Sequence, residues 1–430
     1  MKIMVTSLLV CVWIFLLSDA IRADVVPGET IDKNNYQKIQ ELVPDFIVTW
    51  VKNGDMKMKI GKLSFDQHTF WPQEVLENWQ ANMGRYKIDE NNGIIDDKTG
   101  KPARGIKGLP FPEPDMKDPK LPIMLLWNRD FNEFFLRGDT HHMDYWLSCT
   151  RAGLEKSMVC EALTHIFDPA QTRYDFAELD VFRQPFSMAG IGTLAIFPLY
   201  PLENGERFTY APALGKIRRM SHRLSGSDAM FGVDAVPDDA WAGGPKTAKE
   251  EGIYRFIGER DALVPYLSET PIKARWNEKK ELGAGNAETG FEAKMGFETP
   301  GWTGAPWHVT NVVWVKSRVY VFESRSKDKN YAYGPCEGWI EKGSFSQCYK
   351  RIVDPNGKLW KGWYWPAVPF ESPDGTYRLI INQAEVVVDM RRDHGTCYPG
   401  PYRKGGFARF LIKNQNETLF TRGGFAKFSK

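Results

Sequence analysis

Short segments rich in Val, Ile, Thr and aromatic residues, separated by turn residues, dominate the chain from residue 173 onward. This composition and length are typical of β-strands. No apolar pattern of helical length lies between these segments, which disfavours a doubly wound α/β sheet. The predicted strands are residues 173–183, 193–197, 207–210, 216–221, 309–323, 347–353, 359–365, 377–390 and 407–412.

Helical spacing is confined to the N-terminal part of the chain. Residues 24–50 carry apolar side chains three or four positions apart, and residues 72–83 place Val75, Leu76 and Trp79 on one face. Residues 100–122 are rich in Gly, Pro and Lys, which is typical of a long surface connection. The pattern therefore predicts two short helices before a large sheet.

The clearest hairpin spans residues 348–365, where Asp354-Pro355-Asn356-Gly357 supplies the turn. A sheet of this size must cover its apolar face or close on itself, because an exposed face several strands wide would aggregate. We expect a mainly β (α+β) fold. In it, one large, strongly curved antiparallel sheet forms a half-open barrel, and the short helices act as a lid.

Composition and charge exclude some classes of function. The 430 residues are 42% hydrophobic, enough for a large core, and 56 Lys and Arg against 54 Asp and Glu leave a net charge of +2. A balance this close to neutral disfavours nucleic acid as a partner. Beyond the first residues, no apolar run approaches the roughly 20 residues of a membrane-spanning helix.

The N-terminus is typical of a secretory signal. Lys2 precedes an apolar run, Ile3 to Leu17, and small residues follow it. This run is too short to span a bilayer, and we expect cleavage after Ala23 or Ala20. Residues 1–23 are thus a predicted signal peptide, and residues 24–430 a single exported domain.

The cysteine pattern indicates disulfides in such a compartment. Cleavage removes Cys11 and leaves five cysteines, so the economical pairs are Cys149 with Cys160 and Cys336 with Cys348, with Cys397 left over. No C-x-x-C motif favours a zinc site instead.

Catalytic motifs are missing from the sequence: it holds no G-x-S-x-G, no phosphate loop and no H-E-x-x-H. The densest set of metal-ligand types is Asp139-Thr-His141-His142-Met-Asp144, where His142 and Asp144 would share a strand face. Ser227-Asp228 and Asp238-Asp239 are best interpreted as solvated loop. We predict no catalytic residues, no metal and no cofactor.

Aromatic residues are abundant, with 15 Trp, 16 Tyr and 26 Phe. Rings at consecutive positions, as in Trp363-Tyr364-Trp365, put aromatic side chains on both faces of a strand. One face should belong to the core and the other to a groove or a lid contact. Stacking of sugar rings on exposed Trp is a further interpretation.

Three groups of motifs together resemble a known family. The first is Gly108-Leu-Pro-Phe-Pro112 with Met124-Leu-Leu-Trp-Asn128, and the second runs from Tyr210 to Met220 and on to Phe231-Gly-Val-Asp234. The third is Arg318-Val-Tyr-Val-Phe-Glu323 with Gly357-Lys-Leu-Trp-Lys361. In this order they resemble the domain of unknown function 1329 family, whose members are often labelled outer-membrane lipoprotein-sorting proteins.

The resemblance implies a half-open antiparallel barrel with a helical lid over an apolar cavity, similar to the lipoprotein carrier and receptor of Gram-negative envelopes. It further implies a periplasmic carrier of a hydrophobic small molecule or lipid. A resistance-nodulation-division type permease or an outer-membrane protein is the implied partner. The alternatives are a hydrolase of a hydrophobic ester and an aromatic-lined carbohydrate-binding protein.

Two sets of residues are candidates for the site. Rings on the central strands are the predicted ligand contacts, namely Trp314, Tyr320, Phe322, Trp360 and Trp363. Lys216 and Arg218 would share one face of a strand, with Arg219 on the other, so we expect these three side chains to serve position rather than catalysis.

Overall fold

The computed structural model describes residues 24–198, 200, 205–220, 232–236, 239 and 252–430. The predicted signal peptide and residues Ser227, Asp228 and Asp238 lie outside this range. No helix of the described residues is both long enough and apolar enough to span a bilayer.

The chain is mostly β, as predicted, with 39% of it in strands and 16% in helices. The strands of the first part are β1 Thr30–Ile31, β2 Met58–Gly61, β3 Tyr86–Ile88, β4 Ile94–Asp96, β5 Thr140–Thr150, β6 Gly153–Ile166, β7 Tyr174–Gln184, β8 Gly192–Pro198, β9 Glu206–Ala211, β10 Lys216–Arg219 and β11 Gly252–Tyr266. Those of the second part are β12 Ile272–Lys273, β13 Arg275–Trp276, β14 Leu282–Gly283, β15 Val313–Ser326, β16 Cys336–Glu341, β17 Gln347–Val353, β18 Leu359–Tyr364, β19 Val368–Glu371, β20 Arg378–Ile381, β21 Glu385–Asp389, β22 His394–Gly400 and β23 Ala408–Phe410.

Within the described residues, 18 of these strands form one sheet. Its long path of antiparallel neighbours runs β10-β9-β8-β7-β6-β5-β22-β21-β18-β17-β16-β15-β11. Strands β10 and β11 each have a single described neighbour, so the sheet is not closed, which confirms the half-open barrel. One pairing, β2 with β15, is parallel, so the sheet is mixed rather than wholly antiparallel.

The helices are short. They are α1 Asp45–Asn53, α2 Gln73–Asn82, α3 Leu121–Asp130, α4 Asn286–Thr289 and α5 Arg422–Phe428, with a π-helical turn at Phe131–Phe135 directly after α3 and 3-10 turns at Tyr36–Ile39, Pro212–Leu214, Gly296–Glu298 and Glu417–Phe420. Helix α2 matches the prediction for residues 72–83. The first predicted helix is split into a 3-10 turn and α1, because Pro44 starts a new helix.

Helix α3 is buried on every side, and all ten of its residues are inaccessible to solvent. Two amides hold it. The Asn128 side chain bonds to both the N–H and the C=O of Phe111 (3.1 and 2.6 Å), and Asn132 Nδ2 donates to the C=O groups of Ser344 and Ile380 (both 2.8 Å). These bonds satisfy polar groups that would be costly to bury unpaired. The curved sheet therefore encloses α3 as an internal helix, while α1 and α2 are the lid-like elements.

Both faces of β18 are buried, as the run of consecutive rings predicts. Tyr364 points to the face covered by α1 and His308, whereas Trp363 and Trp365 stack on the other face with ring centroids 4.7 Å apart. Gly362 allows α1 to approach, because a Cβ there would lie 2.6 Å from the Phe46 ring.

The cysteine pairing predicted from spacing is wrong, and all five described cysteines are free thiols. Cys160 lies opposite Asp144 of β5, and Asp144 is five residues from Cys149 on the same strand. The α-carbons of Cys149 and Cys160 are therefore about 16 Å apart, at 3.3 Å per residue. Cys336 is likewise separated from Cys348 by at least three positions of the β16–β17 register, about 10 Å. A disulfide needs α-carbons within about 7 Å. Cys397, expected to be left over, instead lies beside Cys149.

We predict that all five described cysteines stay free thiols when the native protein meets a mild oxidant. Cys397 opposes Leu147 in the β22–β5 register, two residues from Cys149, so at about 3.3 Å per residue along the strand and about 5 Å between strands even these two α-carbons lie beyond the roughly 7 Å that a disulfide needs. Peptide mapping after diamide treatment should find every one of these cysteines unbridged. A bridge from Cys149 to Cys160 or from Cys336 to Cys348 would contradict the register.

We predict that His308 makes the fold acid-sensitive. Burial, with a smaller contribution from Arg151, lowers the pKa of His308 from 6.5 to about 3. The unfolded chain therefore binds a proton more readily, so His308 destabilises the native state as pH falls from 6.5 toward 3, by about 1.4 kcal/mol per pH unit. Urea unfolding at pH 7 and pH 5 should show wild type losing about 2 kcal/mol more than His308→Gln. Equal losses would refute this.

Candidate functional site

A cavity of about 290 Å³ lies between the π-helical turn after α3 and strands β5, β6, β7 and β21. We name it the polar chamber, because eight acidic or basic side chains line it: Glu133, Asp144, Glu178, Asp180, Glu385, Arg129, Arg137 and His142. Aromatic side chains complete the wall: Phe134, Trp146, Trp365 and Tyr398.

Small residues on the central strand leave the space for this chamber. The register of β5, β6 and β7 sets Ala162 between His142 and Asp180, and Thr164 between Thr140 and Glu178. Successive side chains of a strand alternate between faces, so Ala162 and Thr164 form the floor while the longer side chains of the neighbouring strands rise around it.

Most charges in the chamber are paired, but three carboxyls are not. Arg137 pairs with Glu133 (3.2 Å), Arg129 with Asp130 (3.0 Å) and His142 with Asp144 (2.7 Å). In the part of the chain that the structure describes, Glu178, Asp180 and Glu385 form no ion pair. The chamber therefore carries an excess of negative charge when these three carboxyls are ionised.

Burial raises the pKa of all three carboxyls. The pKa of Glu385 rises to about 8, and repulsion by Glu133 is the second cause after burial. The pKa of Glu178 rises to about 7, and repulsion by Asp180 is the second cause after burial. Asp180 follows, with a pKa of about 6. Each carboxyl thus changes charge near neutral pH, which is a common property of binding and catalytic sites.

A second cavity, of about 190 Å³, adjoins the first on the other side of the π-helical turn. We name it the apolar chamber, because its walls include Ile94, Ile106, Trp127, Phe131, Phe135, Ile166 and Phe167. Phe176 separates the chambers: its ring stacks on Phe134, which lines the polar chamber, and meets Phe135, which lines the apolar one (centroids 4.7 and 5.8 Å apart). The two chambers thus lie on either side of the stack formed by Phe134, Phe176 and Phe135.

The five predicted ligand-contact rings lie elsewhere. Trp314, Tyr320 and Phe322 are buried in the main core, and Trp360 donates its indole N–H to Asp389 (3.2 Å). Trp363 is packed beneath Trp365, so it supports a chamber wall without lining it. None of the five lines either chamber.

Lys216, Arg218 and Arg219 lie together on the edge strand β10, and all three side chains are exposed. The register places Lys216 opposite Ala211 and Arg218 opposite Thr209, on one face as predicted. None of the three lines either chamber, and their predicted role in positioning stays a prediction.

Val233 and Ala235 pack with Trp363, and two buried acids near them, Asp234 and Asp239, bond to the sheet. Asp234 accepts from Thr396 Oγ1 (2.7 Å) and contacts His394 Nδ1 (2.6 Å), and Asp239 pairs with Lys361 Nζ (2.6 Å). The interpretation of Asp239 as solvated loop is therefore wrong, because its side chain is fully buried.

Ser148, His394 and Asp234 contact one another in the order of a hydrolytic triad. Ser148 Oγ lies 3.3 Å from His394 Nε2, and His394 Nδ1 lies 2.6 Å from Asp234. The carboxylate of Glu155, however, also lies 2.9 Å from Nε2. Glu155 and Ser148 therefore share Nε2, the nitrogen that would have to accept the serine proton. The hydrogen bonds of Ser148, His394 and Asp234 link β5, β22 and the residues around Asp234.

Comparison with known proteins places the chain in a family. A family model described as protein of unknown function (DUF1329) matches residues 30–425. The chain belongs to the DUF1329 family. The resemblance inferred from the three groups of motifs is thus confirmed. No curated protein sequence matches the chain.

Three solved structures are similar to this DUF1329 chain at low identity. A Vibrio parahaemolyticus domain provisionally described as an outer membrane lipoprotein-sorting protein has 13% identity and a TM-score of 0.47, covering 72% of this chain and 100% of its own. A DUF1329 family protein from Desulfovibrio piger gives the same values. A LolA superfamily protein from Nitrosomonas europaea has 10% identity and a TM-score of 0.39, covering 70% and 96%.

The DUF1329 motifs supply mainly structural contacts, although Trp127 of the first group also lines the apolar chamber. Asn128 of the first group bonds to Phe111 of the same group, Asp234 of the second bonds to Thr396, and Lys361 of the third pairs with Asp239. The chamber residues were missed because they come from separate segments. The alternation of His142 and Asp144 on one strand face was the one signal that pointed to them.

We predict that Lys361→Met destabilises the fold by roughly 3–5 kcal/mol, because it leaves the Asp239 carboxylate buried without its cation. Adding Asp239→Leu should restore most of this loss, since an apolar pair can replace a buried ion pair. Denaturant unfolding of both variants tests this. A cost of Lys361→Met below about 1 kcal/mol, as for a surface pair, would show that Asp239 is exposed in solution.

Proposed function

We propose that this chain is an exported, periplasmic carrier that holds an amphipathic molecule in the two chambers beside α3. The observation that carries the proposal is the placement of an apolar and a polar chamber on the two sides of one π-helical turn and its aromatic stack. Binding sites combine apolar walls with a few convergent polar groups in this way. The family resemblance supports transfer between envelope components, with a permease or an outer-membrane protein as partner.

Binding is better supported than hydrolysis. Among the described residues, the serine that meets a histidine and an aspartate is itself buried, and Glu155 occupies the histidine nitrogen that a general base needs. The apolar chamber offers aromatic and aliphatic walls without a nucleophile. A hydrophobic chain buried there gains about 25 cal/mol for each Å² removed from water.

The proposal predicts that the protein binds 11-(dansylamino)undecanoic acid with a rise in dansyl fluorescence. Phe135→Asp should weaken this binding at least about tenfold, because it puts a charge into the wall of the apolar chamber. Phe135→Trp, which fills the space without a charge, should also weaken it. Phe186→Asp is the matched control, since Phe186 is 97% exposed.

Circular dichroism and thermal unfolding identify any variant that fails to fold, and native mass spectrometry of the wild type should show co-purified ligand. Absence of probe binding by folded wild type would overturn the proposal. Equal binding by wild type and both folded Phe135 variants would place the ligand elsewhere and overturn the assignment to these chambers.

A further inference from the structure

The polar chamber has more acidic than basic side chains, and the excess lies at three carboxyls. Glu178 and Asp180 lie two residues apart on the same face of β7, and Glu385 lies across the chamber at the start of β21. The chamber's own cations are already engaged by Glu133, Asp130 and Asp144. The attraction of Arg207, Arg137, Arg129 and His142 only partly offsets the cost of ionising these three carboxyls, so they favour a cationic ligand.

Unpartnered hydrogen-bond donors occur in the same chamber. Gln347 and Gln383 are 3% and 9% exposed, and the Nε2 group of each has no hydrogen-bond partner among the described residues. Arg137 is 4% exposed, and its Nε group is also without a described partner. Buried donors are normally satisfied. We therefore expect a molecule bound in the chamber to supply hydrogen-bond acceptors for these three N–H groups.

Aromatic rings surround the remaining wall. Trp146 and Tyr398 meet edge to face with centroids 5.2 Å apart, and Trp365 and Phe134 line the chamber with them. The face of an aromatic ring attracts an ammonium group, and desolvated cases contribute about 2 kcal/mol. Carboxylates together with rings form the chemical surroundings in which organic ammonium ions are recognised.

We infer that the polar chamber binds a lipid headgroup that carries a protonated amine next to a hydrogen-bond acceptor. The amine lies against Glu178, Asp180 and Glu385, and the acceptor receives the amides of Gln347 and Gln383. This inference rests on the proposed carrier function, and it specifies the class of cargo. A bare metal ion fits less well, because no group of three or more metal-ligand side chains is assembled within the described part of the chain.

The binding should depend on pH. The groups that face the three carboxyls are Arg129 of α3, Glu133 and Arg137 directly after it, His142 and Asp144 of β5, Cys160 of β6, Arg207 of β9 and Tyr398 of β22. Because burial raises the pKa of all three carboxyls, they are largely protonated at pH 5, whereas at pH 8 Glu178 and Asp180 are largely ionised and Glu385 is about half ionised. An ammonium ion requires the ionised form, so its affinity rises with pH across this interval.

Three lipids with the same lauroyl chain test the inference by calorimetry: lysophosphatidylethanolamine, lysophosphatidylglycerol and monolauroylglycerol. Only the first carries an amine. We expect it to bind wild type at least about tenfold more tightly than the other two at pH 8, and to lose this preference at pH 5.

Glu385→Gln should remove at least about tenfold of the affinity for the amine lipid while leaving monolauroylglycerol unchanged. Glu278→Gln, an exposed control of the same chemistry, should change neither. Asp180→Asn provides a second variant should Glu385→Gln fail to fold.

The outcomes separate the inference from the proposed function. If the dansyl fatty acid binds but all three lauroyl lipids bind equally at both pH values, the amine headgroup is wrong and the carrier stands. Tighter binding of lysophosphatidylglycerol or monolauroylglycerol would overturn the inference in favour of an anionic or hydroxyl headgroup. If neither the dansyl probe nor any lauroyl lipid binds, the carrier function itself fails.

Discussion

Burial of both faces of one open sheet is the constraint on which the rest of the molecule depends. At β18 a single strand carries Tyr364 toward α1 and Trp363 and Trp365 toward the opposite side, so neither face is free to meet water. Val233 and Ala235 pack on that second face with Trp363 and Trp365. The neighbouring acids Asp234 and Asp239 are buried there as well, which explains why each has a partner, His394 for Asp234 and Lys361 for Asp239.

The buried pairs also explain why the family motifs lie where they do. Asn128, Asp234 and Lys361 belong to three groups of motifs far apart in the chain, yet each bonds a buried segment to another part of the fold. A polar group buried without its partner costs about 1–3 kcal/mol, and an unpaired charge costs more. The motifs therefore specify mainly how the interior is assembled, and to the chamber walls they contribute Trp127.

Local pattern predicted strands β7 to β10, β15 and the hairpin at residues 347–364, because period-two alternation and turn chemistry act over a few residues. It did not predict β5, β6, β11, β16 or β22, although β6 and β11 are among the longest strands. Local pattern did not predict α3. This helix is buried on every side, so it has no polar face and shows no amphipathic pattern in the sequence. Local pattern also joined β20 and β21 into one strand, since nothing local marks the break at residues 382–384 that brings Gln383 and Glu385 to the chamber. The chamber depends on register between distant strands, which no local pattern contains.

The polar chamber lowers the stability of the fold. Carboxyls with raised pKa bind protons more readily in the native chain than in the unfolded one, so Glu178 and Glu385 favour unfolding increasingly as pH rises through neutrality. Elsewhere the same chain pairs its buried acids, as Asp239 with Lys361 shows. A sequence able to pair Asp239 could equally have placed a cation beside Glu385 or replaced it by an apolar residue. Unpaired acids that oppose folding indicate a site where the missing charge is supplied from outside the chain.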